Sequence, residues 1–303
     1  VPLLLFLIGV ILLLKAADLT VESAEGLALR HNIPSAIIGL TVVAFGTSLP
    51  ELVVTTDAIL SGDYAIGIGN IIGSNIANIG LILGIMAMLR PDTCCIIPSR
   101  RFLLKNGLFV VGATLLFALF AVRGIFDVYA GVILLATFGA FLFLMGRSGY
   151  QDIRVGEKNL QRPLLFTIIG IAGVILGAHL LVLGAVEIAG TLGIPQFFIG
   201  ISLVAVGTSL PEMATSLAAS ARKNTGIAIG NIFGSNVFNL LFVGGINALF
   251  TPIPFSNLLS IAVLIAFTLG LFPLFTGRIS VTRSWGIVLL LSYLLSVALL
   301  FVL

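Results

Sequence analysis

The chain of 303 residues is 59% hydrophobic and 9% charged, with a mean hydropathy of +1.24. A soluble domain carries about 25% charged residues, so this composition excludes an ordinary water-soluble fold. The net charge of +3 is too small to suggest a nucleic-acid partner and traces instead to a bias among the loops.

Apolar runs of roughly 20 residues or more, the length that crosses a hydrocarbon core of about 30 Å, predict ten helical spans. They fall at 2–29, 34–60, 64–89, 102–122, 125–146, 162–190, 195–221, 225–250, 257–276 and 284–303. None alternates as a barrel strand must. In the first span the basic residue Lys15 follows the apolar run instead of preceding it, so a retained helix is expected, not a signal peptide. The loops after spans one, three, five, seven and nine hold 13 of the 15 Lys and Arg residues. By the positive-inside rule those loops are cytoplasmic, which places both termini outside a cell membrane. The longest loop, 147–161, leaves no room for a soluble catalytic domain. Cys94 and Cys95 are adjacent, lack metal-ligand spacing, and read as plain thiols.

Two segments repeat. Residues 38–55, IGLTVVAFGTSLPELVVT, match 199–216, IGISLVAVGTSLPEMATS; GIGNIIGSNIANI at 67–79 matches AIGNIFGSNVFNL at 228–240. Over these blocks 18 of 31 aligned positions are identical at one fixed offset of 161 residues, too many for chance among apolar residues. Five spans per half, an odd number, insert the second half upside down. The expected fold is therefore all-α and integral to the membrane, with ten transmembrane helices in two inverted five-helix repeats. Residues 1–146 and 162–303 form the halves, with repeat segments at 38–91 and 199–252 and the 147–161 loop as linker. Such repeats are typical of secondary transporters with a midplane site.

Each hexapeptide GTSLPE sets one carboxylate, Glu51 or Glu212, inside an apolar span, where a charge costs about 2.5–3.5 kcal/mol on insertion scales. Opposite insertion brings the two to opposite sides of the midplane, close enough to clamp one cation. Pro50 and Pro211 lack an N–H and disfavour helical geometry at Leu49 and Leu210, so a break is predicted just before each glutamate. Carbonyls freed near Ala44 and Ala205 then become cation ligands, with hydroxyls from Thr47, Ser48, Thr208 and Ser209 beside them. Asn70, Ser74 and Asn78 form a polar stripe at spacing four, repeated by Asn231, Ser235 and Asn239. Asn75 and Asn236, turned about 100° away, suit bridges between helices, while Asn78 and Asn239 complete the cluster around the glutamates. Every donor is oxygen or amide, which disfavours copper, zinc and iron–sulfur chemistry. Two carboxylates neutralise one Ca2+, a cation that takes six to eight oxygens; Na+ or H+ would neutralise them on the return leg. Asp18, Glu22 and Glu25 on the first span and His179 on the sixth receive no special role.

The doubled GTSLPE, each copy followed by GN-x-x-GSN-x-x-N, resembles the repeats of the calcium:cation antiporter superfamily, nearest its compact prokaryotic sodium/calcium exchanger branch. The resemblance covers essentially the whole chain. It implies an ion site on helices 2, 3, 7 and 8 and a sliding gate of helices 1 and 6. Glu51, Glu212, Thr47, Thr208 and the carbonyls of Ala44 and Ala205 would ligate Ca2+. Ser48, Ser209, Ser74 and Ser235 would flank it as sodium sites, with Asn78 and Asn239 near the centre. In one respect the chain departs: many sodium/calcium exchangers have aspartate where this one has Asn239. The expectation is a Ca2+/Na+ antiporter with alternating access, monomeric in the bilayer, without cofactor and without enzymatic activity. A H+/Ca2+ exchanger, and after it a cation channel, are the alternatives.

Overall fold

The computed structural model describes residues 2–89, 100–146, 161–192, 207–271 and 282–302. Cys94, Cys95, Ala205, residues 147–160 of the linker and the first part of predicted span seven lie outside them.

In chain order, α1 (Pro2–His31) is followed by a bent segment. It consists of α2 (Ser35–Ile38), a π-helical turn over Gly39–Val43, α3 (Ala44–Thr47) and α4 (Leu49–Leu60). Next come α5 (Tyr64–Ala77), a π turn over Asn78–Ile82, and α6 (Leu83–Leu89). Helices α7 (Arg100–Val122), α8 (Val128–Gly146) and α9 (Pro163–Thr191) follow. After α10 (Leu210–Ala221) and α11 (Thr225–Val237), a third π turn over Phe238–Val243 leads into α12 (Gly244–Phe250). The described chain ends with α13 (Leu258–Gly270) and α14 (Arg283–Val302).

Among the described residues six helices are long and apolar enough to cross a membrane, and the bent pair 35–47 with 49–60 makes a seventh. Two shorter apolar helices fall where spans nine and ten are expected. Leu115, Leu119, Leu291 and Leu295 are more than half exposed on the outer helices α7 and α14. A water-soluble surface does not carry so much apolar area, and hydrocarbon is its natural solvent. This is a multi-pass helical membrane protein.

The core has two parts. The larger surrounds α11, whose residues are all buried. The smaller lies between α1 and α9, where Leu13, Ala16 and Ala17 meet Val174 and Ala178. Those two helices touch backbone to backbone. A Cβ on Gly177 would stand 2.5 Å from the Leu13 nitrogen, and one on Gly184 2.5 Å from that of Phe6. The smaller cluster also takes in Leu210 and Ala214 of α10, and the second half of α1 (Val21, Ala24, Leu27, Ala28) joins the main core.

A short antiparallel ribbon, β1 (Ile125–Phe126) with β2 (Ile253–Pro254), ties the α7–α8 connection to that after α12. Gly124 makes the turn at φ +84, which favours glycine, and its carbonyl accepts the Phe255 N–H at 2.9 Å. The Ala130 N–H and the Arg123 guanidinium hold the Asp127 carboxyl below its ordinary range.

Candidate functional site

The expected helix breaks are present, one residue earlier than the proline argument placed them. Helix α3 ends at Thr47, Ser48 turns out of the helix (φ −88, ψ 9), and α4 starts at Leu49 after a 43° bend. Ser209 repeats this at φ −87, ψ 3 ahead of Leu210. The reason is positional. Proline is well suited to the first turn of a new helix, where its missing N–H needs no partner, so Leu49 and Leu210 are helical and the serines absorb the turn. The Ala44 carbonyl is consequently not freed by the break. It accepts the Ser48 N–H at 3.1 Å and the Thr47 hydroxyl at 3.4 Å.

The new helix start places Glu51 and Glu212 in the first turns of α4 and α10, where the helix dipole favours a negative charge. Both are buried, at 1% and 0% exposure. Each carboxylate is met by the serine of the other segment: Ser48 Oγ donates to Glu212 Oε1 at 2.7 Å, and Ser209 Oγ to Glu51 Oε1 at 3.5 Å. The second oxygen of each carboxylate has no hydrogen-bond partner among the described residues.

Around them runs a frame whose bonds recur when both residues move by 161. Asn70 Nδ2 donates to the Glu51 carbonyl at 3.3 Å and to Thr55 Oγ1 at 2.9 Å. Asn231 Nδ2 donates to the Glu212 carbonyl at 3.3 Å and to Ser216 Oγ at 3.0 Å. Thr47 Oγ1 reaches Asn231 Oδ1 at 3.2 Å, and Thr208 Oγ1 reaches Asn70 Oδ1 at 3.4 Å. Asn70 and Asn231 therefore brace the glutamate backbones, a role their shared stripe with Asn78 and Asn239 did not reveal. Thr55 and Ser216, which sequence reasoning passed over, hold the far ends of these braces. The signal was available, since they are offset mates, both hydroxylic, one turn beyond each glutamate.

The symmetry fails at the remaining amides. Asn78 Nδ2 donates to Asn236 Oδ1 at 3.0 Å, whereas Asn75 turns back to the Ile71 carbonyl at 2.7 Å. Both polar atoms of Asn239 lack a partner among the described residues, as do Ser74 Oγ, Ser235 Oγ and Asn78 Oδ1. Buried polar atoms nearly always find partners; here the orphans lie on α5, α11 and the π turns that follow them, next to the glutamate helices α4 and α10. Asn78 and Asn239 stand in π turns; such turns are frequent at functional sites. They widen the helix at Asn78 and Asn239, and nothing in the apolar periodicity foretold them. All the described members of the predicted ligand set (Glu51, Glu212, Thr47, Thr208, Ser48, Ser209, Ser74, Ser235, Asn78, Asn239 and Ala44) lie on these broken or widened helices.

The model of the family described as sodium/calcium exchanger protein matches residues 1–146 and 162–302. An uncharacterised membrane protein of Methanocaldococcus jannaschii, MJ0091, is 39% identical over 97% of this chain and 96% of its own length. The sodium/calcium exchanger MaX1 of Methanosarcina acetivorans is 29% identical over 98% of both chains. A solved structure of the sodium-calcium exchanger NCX_Mj, soaked with 10 mM Na+ and no Ca2+, superposes with a TM-score of 0.86 at 36% identity, covering 98% of each chain. On sequence and on fold alike, this chain is a member of the sodium/calcium exchanger family.

Proposed function

We propose that the chain is a secondary antiporter exchanging Ca2+ for Na+ by alternating access. Ten helices in two inverted halves, 1–146 and 162–303, surround one midplane site. The single observation that carries the reading is the pair of fully buried carboxylates, each with one oxygen held by the opposite serine and one left over. A divalent cation between the two free oxygens is neutralised where an unpaired charge costs several kcal/mol. Its remaining coordination comes from Thr47, Thr208 and the main-chain carbonyl at Ala205, oxygen ligands of the kind Ca2+ takes, while Ser48, Ser209, Ser74 and Ser235 form flanking sodium sites with Asn78 and Asn239 near the centre; the Ala44 carbonyl, which already accepts two hydrogen bonds, is left out of the set. Two Na+ ions satisfy the same charge count.

The α1–α9 pair, with its close glycine contact, is suited to slide past the site and expose it to alternate faces. MaX1 is a sodium/calcium exchanger and NCX_Mj was soaked with Na+, which agrees with these ions. The exchanger acts as a monomer in the cell membrane with both termini outside.

The test is 45Ca2+ flux in proteoliposomes holding the full chain, with Na+ and H+ gradients imposed separately. An outward Na+ gradient at equal pH should drive Ca2+ inward. Flux that follows only the proton gradient replaces this reading with H+/Ca2+ exchange, and ohmic Ca2+ currents with no countertransport replace it with a channel.

A further inference from the structure

Asn75 and Asn236 stand outside the ligand set, yet both are buried at 1% exposure, as are Asn78 and Asn239. At the 161 offset Asn75 is the mate of Asn236, and Asn78 of Asn239. Their hydrogen bonds are not mates. Asn236 Oδ1 accepts the Asn78 side-chain amide across the two halves at 3.0 Å, and its own Nδ2 has no partner among the described residues. Asn75 instead donates Nδ2 to the Ile71 carbonyl of its own helix at 2.7 Å, which leaves its Oδ1 without one.

With every residue replaced by its mate, these two bonds become Asn239 Nδ2 to Asn75 Oδ1, and Asn236 Nδ2 to the Ile232 carbonyl. Neither is made here, but the side-chain atoms they need, Asn239 Nδ2, Asn75 Oδ1 and Asn236 Nδ2, are the ones left unbonded. The packing serves both patterns: α5 lies against the π turn that carries Asn239, as α11 lies against the one that carries Asn78. Each pattern has one bridge between the halves and one return to the residue's own helix. Bonds of the same kind contribute alike, so hydrogen bonding leaves the two patterns near balance, as a two-state element requires. The choice matters to the site, because an amide ligates a cation through its oxygen alone. With Nδ2 tied to Asn236, Asn78 keeps an unbonded Oδ1 that is fixed in direction, whereas neither polar atom of Asn239 is held.

We infer that Asn75 and Asn236 are positioning residues that work in turn. The one that bridges orients the asparagine of the opposite π turn, Asn239 for Asn75 and Asn78 for Asn236, as an oxygen ligand, while the other returns to its own helix. The inference rests on the alternating-access reading above, in which inverted halves exchange roles during the cycle.

The test is a set of double-mutant cycles on the full chain in proteoliposomes, reading apparent Ca2+ affinity in Na+-driven exchange, with melting temperature as the folding control. Asn236→Ala should weaken apparent affinity about three- to tenfold. Added to Asn78→Ala it should cost nothing further, because it acts only through Asn78. Asn75→Ala should stand in the same relation to Asn239→Ala. The crossed combinations, Asn75→Ala with Asn78→Ala and Asn236→Ala with Asn239→Ala, should be additive. Serine at 75 or 236, too short to bridge, repeats the measurement where an alanine variant does not fold. Additive losses within the matched pairs, equal coupling in the crossed pairs, or a lower melting temperature with unchanged affinity would each overturn the inference. Wild-type affinity in Asn75→Ala would overturn it too, since Asn236 would then act alone. A wild type that moves no Ca2+ under a Na+ gradient overturns the transport reading and the inference with it; normal wild-type exchange with additive cycles overturns the inference alone.

Discussion

At the scale of single residues, the site is built on two carboxylates whose environments are alike but not identical. Neutralising either one leaves a single charge facing a divalent ion in a buried site. Removing one partner of a buried charge pair costs about 3–5 kcal/mol, so Glu51→Gln or Glu212→Gln should each cut Ca2+ exchange at least about a hundredfold while the melting temperature stays near wild type. Ca2+ flux surviving in both variants would remove the glutamates from the site. The serines offer a finer test. Ser48 donates to Glu212 at 2.7 Å, but Ser209 stands 3.5 Å from Glu51, at the edge of a hydrogen bond. A bond to a carboxylate contributes about 1.5–3 kcal/mol. Ser48→Ala should therefore weaken apparent Ca2+ affinity about tenfold or more, and Ser209→Ala distinctly less, in parallel titrations of flux. Equal losses would show that the two halves are equivalent in the working state. The duplicated glutamates, threonines and serines were readable from GTSLPE alone as candidates, because a carboxylate is costly in an apolar span, and the structure brings them together across the two halves. The bracing role of Asn70 and Asn231 was not, since a polar stripe at spacing four looks the same whether its members bind an ion or the neighbouring backbone.

At the scale of helices, what the sequence made legible was length and polarity, and what it hid was local winding. The bend after Thr47 follows from Pro50, and only its register differed, because a helix restarting at Leu49 accommodates the proline at no hydrogen-bonding cost. The three π turns among the described residues leave no trace in hydrophobic periodicity, since one extra residue in a uniformly apolar run changes no pattern. The pairing of α1 with α9 came only from the resemblance, as a gate of helices 1 and 6, and the structure shows how closely the two helices meet. With the Leu13 nitrogen 2.5 Å from a Cβ built on Gly177, Gly177→Val must separate the two helices. Overpacking of this kind costs about 1–3 kcal/mol, so the melting temperature should fall and Ca2+/Na+ exchange should slow more than Ca2+ binding weakens. Gly139→Ala on α8, where a Cβ meets nothing within 4 Å among the described residues, should be neutral in both assays. Normal exchange rates in Gly177→Val would mean that α1 and α9 need not move past each other closely.

At the scale of the whole molecule, the 161 offset holds for the bonds around the glutamates and fails at Asn239, whose polar atoms have no partner among the described residues while its mate Asn78 bonds Asn236. The failure at Asn239 bears on the coupling of the entire cycle. Two carboxylates balance one Ca2+ or two Na+; a third Na+ would leave net positive charge in a medium of low dielectric, costly unless dipoles spread it. Asn239 is buried, with neither polar atom bonded among the described residues, and it carries no titratable charge. The substitution Asn239→Asp changes almost no volume and adds one ionisable group to the chamber. While that group holds its proton the site has the wild-type charge count, so at low pH the variant should transport like the parent. As pH rises and the proton leaves, the chamber gains a negative charge. The Ca2+/Na+ balance must then shift, either by admitting another cation per cycle or by holding Ca2+ more tightly. Flux measured against pH, together with reversal potentials at each pH, should therefore coincide with wild type at the acid end and diverge progressively toward the alkaline end. Superimposable curves over the whole range would place Asn239 outside the ion path, as a residue that only shapes the π turn in which it stands.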